Sequence, residues 1–276
     1  MTDESIYFHK AERKKSKLRL AIFGASGSGK TLSALLLADG LKKDCKIAVV
    51  DTENGSAEIY ADRVDFNVIN MSPPYTPDKY MSAVQTAEKQ GYDVLILDTI
   101  SAMWSGSGGL LDIKQRVEKR GNKNSFTAWA EVMPMYNRFI DTLLQSNIHI
   151  IATMRSKAEY LISKDEHGGI KGIAKVGTTP IMKGEVDYEF TTVFSLDRNN
   201  NAVVTKDRTS LFDNSIPFRI DRETGKLIAE WLNVGSQRKV EEKKEEKYTP
   251  EEEEEKTFDN SNEPPNEVED PSETLF

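Results

Sequence analysis

Eight consecutive residues of this chain have the types and the spacing of a phosphate-binding loop. In chain order they are Gly24, Ala25, Ser26, Gly27, Ser28, Gly29, Lys30 and Thr31. They match the pattern G-x-x-x-x-G-K-[ST], in which glycines let backbone N–H groups turn towards a phosphate. The lysine of such a loop reaches the β- and γ-phosphates, and the final hydroxyl binds Mg²⁺. The octapeptide therefore predicts a nucleotide-binding protein.

The segments around and after this loop alternate between apolar strands and helices. A strand is predicted at 18–23 and a helix at 30–41, which is the context that the motif requires. Further strands and helices are predicted at 46–51, 77–90, 93–98, 127–146 and 148–153. Later strand-like stretches and a short helix are predicted at 188–196, 201–205, 216–220 and 226–232. This order predicts an α/β fold, a mostly parallel sheet flanked by helices with an antiparallel extension.

A second candidate metal ligand stands at the end of one of these strands. Asp98 closes the apolar run 93–98, some seventy residues after the phosphate loop. An acid at this place commonly holds Mg²⁺, usually through water, while the loop hydroxyl, here Thr31, binds it directly. We therefore predict that Thr31 and Asp98 form the metal site. The alternative, a surface acid at the end of a strand, stays open.

The segment after the second strand resembles a known family. It contains Asp51-Thr52-Glu53 and then Ile59-Tyr60-Ala61, at the spacing of the corresponding residues in the RecA-like core ATPases. The resemblance implies ATP hydrolysis, with Glu53 orienting and deprotonating the attacking water. It also implies that Tyr60 packs on the adenine. For Tyr60, an ordinary aromatic contact between helix and sheet is an equal alternative.

Two later positions extend the resemblance, and one of them departs from it. After strand 148–153, RecA has a glutamine that senses the γ-phosphate, but this chain has Arg155. An arginine can still bind a phosphate, and more strongly than an amide. Lys206 and Arg208 form a Lys-x-Arg pair like that of hexameric replicative helicases, where RecA has Lys-x-Lys. In both families these cations reach the γ-phosphate of a neighbouring subunit, which implies a homo-oligomer, either a ring or a filament.

Two glycine-containing basic segments are candidate contacts for single-stranded DNA. In RecA cores, loops at the places of 105–125 and 156–184 bind DNA. The first segment contains Lys114, Arg116, Lys119, Arg120 and Lys123. The second contains Lys157, Lys164, Lys171, Lys175 and Lys183. Basic loops suit the phosphate backbone without readout of bases, although long solvated loops remain the alternative.

The charge of the chain is unevenly distributed. The net charge is −8, and after residue 235 acidic residues outnumber basic residues by 15 to 6. We therefore predict a basic lead-in at 1–17, an ATPase core at 18–235 and a disordered acidic tail at 236–276. The tail ends in Leu-Phe after acids, similar to the ends of bacterial single-strand-binding proteins. It could bind a single-strand-binding protein or another replication partner, or it could only confer solubility.

The remaining composition narrows the class of protein. The chain has 276 residues and one cysteine, which excludes a disulfide framework and a cysteine-based zinc site. Apolar runs stay well below the ~20 residues of a membrane span, so we expect no membrane partner and a cytoplasmic location. A bare core of this size resembles the RecA-like recombination ATPases of bacteriophages, which assist single-strand annealing. That origin would place the protein in the cytoplasm of a bacterial host.

Three hypotheses for function follow. The first is an ATP- and Mg²⁺-dependent RecA-like ATPase that acts on single-stranded DNA in phage-type recombination or replication. The second is a hexameric helicase or a helicase loader, which the Lys-x-Arg pair also fits. The third is a nucleotide-dependent scaffold or a small-molecule kinase that does not act on DNA. That third class needs neither Glu53 nor cations from a neighbouring subunit.

Overall fold

The structure is a computed structural model that describes residues 16–121, 124–164 and 170–233. The chain divides into two units, Met1–Gln237 and Arg238–Phe276, and all described residues belong to the first. The predicted basic lead-in lies almost entirely outside the described residues, and the predicted acidic tail lies entirely outside them. In the described part of the chain, no helix is long and apolar enough to cross a membrane.

Eight strands form one sheet, in the order β3-β2-β4-β5-β1-β7-β8, with β6 paired to β5. All neighbours are parallel except the pairs β7–β8 and β5–β6, which are antiparallel. The strands are β1 (Arg19–Gly24), β2 (Ile47–Asp51), β3 (Asn67–Asn70), β4 (Val94–Asp98), β5 (His149–Lys164), β6 (Ile170–Pro180), β7 (Thr192–Leu196) and β8 (Ala202–Asp207). The prediction of a mostly parallel α/β sheet with an antiparallel extension is therefore confirmed.

Helices cover both faces of the sheet, and each face has its own apolar core. The helices are α1 (Lys30–Gly40), α2 (Pro77–Lys89), α3 (Ser101–Ser105), α4 (Leu110–Gly121), α5 (Ser125–Gln145) and α6 (Arg222–Asn233). On one face, α2 and α5 meet through Tyr80 and Phe139, whose rings stand edge to face at 5.9 Å. On the other face, α1 and α6 pack with β7 through residues such as Phe194. Every residue of β1 and of β4 is buried, as expected for strands covered on both sides.

The helices α1 and α6 cross closely because glycines stand at the crossing. A Cβ atom on Gly225 would lie 2.2 Å from the carbonyl oxygen of Leu37, and one on Gly40 would lie 2.0 Å from that of Arg222. Neither position can therefore carry a side chain without displacing a backbone. This contact fixes the C-terminal helix against the helix that follows the phosphate loop.

Several expectations about local structure are wrong. The segment 105–125 is not a loop, because most of it forms α4, where ion pairs one turn apart join Lys114 to Glu118 and Arg116 to Asp112. The segment 156–184 is mainly a hairpin, since β5 continues past 153 and β6 returns beside it. The stretch 216–220 forms only an isolated bridge between Phe218 and Ala202. Strand β3 was not predicted because it is short and mostly exposed.

The register of the parallel strands brings the candidate site residues together. Asp51 at the end of β2 pairs with Asp98 at the end of β4, and Gly24 at the end of β1 pairs with Arg155 on β5. The carboxyl ends of parallel strands meet at one edge of the sheet, where ligands of such folds bind. Residues far apart in the sequence therefore lie at one edge.

Candidate nucleotide site

The phosphate loop connects β1 to α1 in a tight turn. Gly27 and Gly29 have φ angles of 78° and 81°, in the left-handed region that favours glycine. The Nζ atom of Lys30 donates hydrogen bonds to the carbonyl oxygens of Gly24 (3.2 Å) and Ala25 (2.8 Å). Burial lowers the pKa of Lys30, while the carboxylates of Glu53 and Asp98 oppose that shift. The loop backbone, the helix N-terminus and the lysine together fit a polyphosphate.

Asp98 is the buried acid of the site, with only 1% of its surface exposed. The hydroxyl of Thr31 donates to its Oδ2 atom at 2.6 Å, and the hydroxyl of Thr153 donates a short hydrogen bond to its Oδ1 atom. Burial raises the pKa of Asp98, whereas these two hydrogen bonds lower it. A hydroxyl and a carboxylate are hard oxygen ligands, so the pair formed by Thr31 and Asp98 fits Mg²⁺.

Glu53 lies beyond the end of β2 and is paired with Arg155. The Nε and Nη2 atoms of Arg155 both donate to the Oε1 atom of Glu53, at 3.0 Å and 2.8 Å. The side chains are 52% exposed for Arg155 and 32% exposed for Glu53. The resemblance to RecA-like ATPases implies that both residues act at the γ-phosphate, and the structure brings them into direct contact. An ion pair this exposed contributes at most about 1 kcal/mol.

A cavity of about 650 Å³ joins the phosphate loop to two other candidate residues. Lys30, Thr31, Glu53 and Tyr60 all line it. Further polar residues of its wall were not predicted from the sequence, among them Arg63, Asn200 and Arg219. Asn200 and Arg219 are far from the loop in the sequence, so no local pattern connects them to it, whereas Arg63 follows Tyr60 by only three residues.

A neighbouring cavity of about 370 Å³ lies on the other side of Glu53. Arg155 lines this second cavity together with Glu53, Tyr75, Ser101 and Ser105. Arg155 is also tied to the hairpin, because its carbonyl oxygen accepts a hydrogen bond from the N–H of Ile181 at 2.7 Å. The ion pair therefore connects the nucleotide cavity to the base of the β5–β6 hairpin.

Lys206 and Arg208 lie apart from the cavity of their own chain. The Nζ atom of Lys206 donates to the carbonyl oxygens of Asp187 and Tyr188, both at 2.7 Å, and lies 5.5 Å from the centre of the Tyr188 ring. Burial and the charge of Arg208 lower the pKa of Lys206. Arg208 is exposed just past the end of β8. Neither residue lines the cavity that contains the phosphate loop.

Two buried polar residues of the site were also not predicted from the sequence. Thr153, which donates to Asp98, is buried on a strand that reads as purely apolar apart from its ends. Asp51 is 1% exposed and accepts hydrogen bonds from the segment that carries Glu53. The acid at the end of β2 is a visible signal for Asp51, but its role depends on the turn that follows.

The chain is similar to one protein family and to solved structures. No curated protein matches the sequence. Among solved structures, the crystal structure of the RadB recombinase is similar, with a TM-score of 0.43 and 19% identity; the match covers 75% of this chain and 89% of that chain. The sequence model of the AAA_24 family, described as an AAA domain, matches residues 16–217. Because that match spans most of the chain and includes the phosphate loop, this protein belongs to the AAA_24 family of AAA domains.

Proposed function

We propose that this protein is a RecA-like ATPase that hydrolyses ATP with Mg²⁺ and acts on single-stranded DNA. The main observation behind this proposal is the cavity of about 650 Å³ that joins Lys30 and Thr31 of the phosphate loop to Glu53 and Tyr60. A triphosphate needs a cradle, a metal ligand and an acceptor for the proton of the attacking water. One cavity supplies all three, and membership of the AAA_24 family supports nucleotide-dependent activity.

Each candidate residue in or beside the cavity then has a chemical role. Lys30 and the loop N–H groups bind the phosphates, and Tyr60 forms a wall for the adenine. Thr31 and Asp98 would hold Mg²⁺, which neutralises charge on the β- and γ-phosphates when bound. Glu53 orients water in line with the γ-phosphorus and accepts its proton. Arg155, released from Glu53, binds the γ-phosphate in place of the RecA glutamine.

Contact with single-stranded DNA is proposed for the hairpin and for α4. Lys157 and Lys183 flank the hairpin, and the Nζ atom of Lys183 lies 5.2 Å from the centre of the Tyr136 ring. The side chains of the other basic hairpin residues lie outside the described residues. On α4, Lys119 and Arg120 are exposed and the ring of Phe126 follows at the start of α5, 84% exposed. Exposed cations suit the phosphate backbone of a single strand, and an exposed aromatic ring suits its bases.

A shared active site is proposed because Arg208 is exposed and lies apart from the cavity of its own chain. A cation that reaches the phosphate of a neighbouring subunit contributes a large factor to turnover, so the protein would act as a homo-oligomer. The proposal also includes a role in phage recombination or replication and a location in the host cytoplasm. The proposed partner of the acidic tail is a single-strand-binding protein. The hexameric helicase stays as a second candidate, because Lys206 and Arg208 keep its Lys-x-Arg spacing.

The test is ATP turnover measured across protein concentration, with and without single-stranded DNA. We expect turnover per chain to rise steeply with protein concentration and with DNA. Lys30→Ala should abolish turnover, and Glu53→Gln should keep nucleotide binding but lose hydrolysis. A monomer that reaches full turnover, with the same rate in the presence and absence of single-stranded DNA, would contradict the proposal. Strand displacement from a partial duplex would favour the helicase instead.

A further inference from the structure

Asp51 is a buried acid two residues before the proposed catalytic glutamate. It ends β2, and only 1% of its surface is exposed. It lines neither the nucleotide cavity nor the neighbouring cavity of Glu53 and Arg155. Its side chain therefore touches neither substrate nor water in those cavities. An effect on turnover would have to pass through other residues.

Both carboxylate oxygens of Asp51 accept hydrogen bonds from the segment that follows it. The N–H of Glu53 donates to Oδ1 at 2.5 Å. The N–H of Ala57 donates to Oδ2 at 2.8 Å, and the hydroxyl of Ser56 approaches the same oxygen at 3.5 Å. One buried carboxylate thus joins two places in the chain that are four residues apart. Such a contact fixes the turn between them.

That turn depends on this contact because its backbone is tightly bent. Asn54 and Gly55 have φ angles of 58° and 81°, so two successive residues are left-handed. A short 3-10 helix, Ser56–Tyr60, follows immediately and carries Tyr60 to the nucleotide cavity. Asparagine and glycine adopt this region more readily than other residues, so the sequence itself favours the bend. The Asp51 carboxylate accepts hydrogen bonds on both sides of this bend, from the N–H groups of Glu53 and Ala57.

Glu53 is therefore held from two sides of unequal strength. Its carboxylate is paired with Arg155, but that pair is largely exposed and such pairs are weak. Its backbone N–H is held by a carboxylate that is fully buried, where hydrogen bonds to charge are strong. The side-chain contact can exchange while the backbone contact stays. Glu53 can then leave Arg155 for water without the loop moving.

We propose that Asp51 is a positioning residue for hydrolysis, which holds the backbone of Glu53 and its turn so that the Glu53 carboxylate stays aimed at the attacking water. This inference rests on the proposed role of Glu53 in hydrolysis. Positioning of this kind affects the rate of the chemical step more than the binding of substrate, because Asp51 does not line the nucleotide cavity.

The test is the isosteric variant Asp51→Asn, with Glu88→Gln as its matched control. An asparagine offers one acceptor oxygen and one NH₂ group, so one of the two N–H groups at Glu53 and Ala57 loses its acceptor. Glu88 likewise accepts a hydroxyl and a backbone N–H, from Ser146 and Asn147, but far from the cavity. We expect Asp51→Asn to lower kcat at least tenfold with less than a threefold change in KM. Glu88→Gln should change neither.

A double-mutant cycle separates positioning from a general loss of structure. In the Glu53→Gln background, the residual single-turnover rate should fall less than twofold on adding Asp51→Asn, because the group it positions is already gone. An equal factor in both backgrounds would overturn the inference. So would an unchanged kcat in Asp51→Asn, or failure of Asp51→Asn to fold while Glu88→Gln folds, since that would make Asp51 a residue of overall stability.

Amide hydrogen exchange gives a readout that does not depend on ATP hydrolysis. The N–H groups of Glu53 and Ala57 should exchange at least tenfold faster in Asp51→Asn than in the wild type, with Glu88→Gln unchanged there. Unchanged exchange at both positions would overturn the inference even if turnover fell. If the wild type hydrolyses no ATP, the proposed function fails, and the exchange result alone decides whether Asp51 holds the turn.

Discussion

Replacing Thr153 by valine should weaken the use of Mg²⁺ by this protein. The hydroxyl of Thr153 donates to the Oδ1 atom of Asp98, and the hydroxyl of Thr31 donates to the other oxygen. Valine keeps the shape of the side chain at a fully buried position but removes the donor. Of these two hydrogen bonds, Asp98 would then keep only the one from Thr31, although the Thr31 hydroxyl is also the proposed ligand of the metal.

The expected size follows from the burial of Asp98. A hydrogen bond to a charged group contributes about 1.5–3 kcal/mol when it is protected from water, which corresponds to a factor of roughly 10 to 150. Burial already raises the pKa of Asp98, and the Thr153 hydrogen bond opposes that rise. Without the bond the pKa rises further, so less of the carboxylate is ionised at a given pH. Both the affinity for Mg²⁺ and the acidic limb of the pH–rate profile should respond.

The assay is ATP turnover as a function of free Mg²⁺, repeated across pH. For Thr153→Val we expect half-maximal turnover at a Mg²⁺ concentration at least tenfold higher, and an acidic limb displaced to higher pH. Thr153→Ser is the matched control, because it keeps the hydroxyl and removes only a methyl group. If the valine and serine variants show the same Mg²⁺ dependence and the same acidic limb, the argument from the Thr153 hydrogen bond is refuted.

Three further predictions address the other parts of the site and the fold. Arg208→Ala should lose turnover but regain it in mixtures with Glu53→Gln, since each variant supplies a different half of a shared site; failure of the mixture to recover would count against sharing. Arg155→Ala should lower kcat at least tenfold, because it removes the cation proposed to bind the γ-phosphate. Loss of the exposed ion pair alone would account for about fivefold at most, so a smaller effect would remove Arg155 from phosphate sensing. Burial lowers the pKa of His149 from 6.5 to about 4. The contribution of the neutral imidazole to the stability of the fold is therefore complete above pH 6.5 and is lost as the pH falls from 6.5 towards 4. In urea titrations, the free energy of unfolding of the wild type should be about 1 kcal/mol lower at pH 5.5 than at pH 7.5. If the variant His149→Gln shows the same decrease, this assignment is contradicted.

The helices and strands with strong local patterns were predicted well. The helix predicted at 77–90 is α2 (Pro77–Lys89), and the strand predicted at 93–98 is β4 (Val94–Asp98). Buried parallel strands and amphipathic helices repeat their apolar residues at fixed spacing, so the pattern is visible without the fold. Element α4 and the hairpin were missed because their polar composition resembles a loop. On α4, Leu110 is buried and Ile113 packs against the same apolar core, and the hairpin is stabilised by the ladder between β5 and β6.

The sequence by itself determined the phosphate loop, most of the strands and helices in their chain order, and the identity of the acids at the strand ends. Each of these depends on residues that are close together in the chain. Only the tertiary structure decided that Arg155 pairs with Glu53, that Thr153 supports Asp98, and that Asp51 holds the turn before Tyr60. The physical reason is the register of the parallel strands, which sets the carboxyl ends of distant segments side by side. Hydrogen-bond partners across that edge are chosen by distance in space, which no spacing along the chain reports.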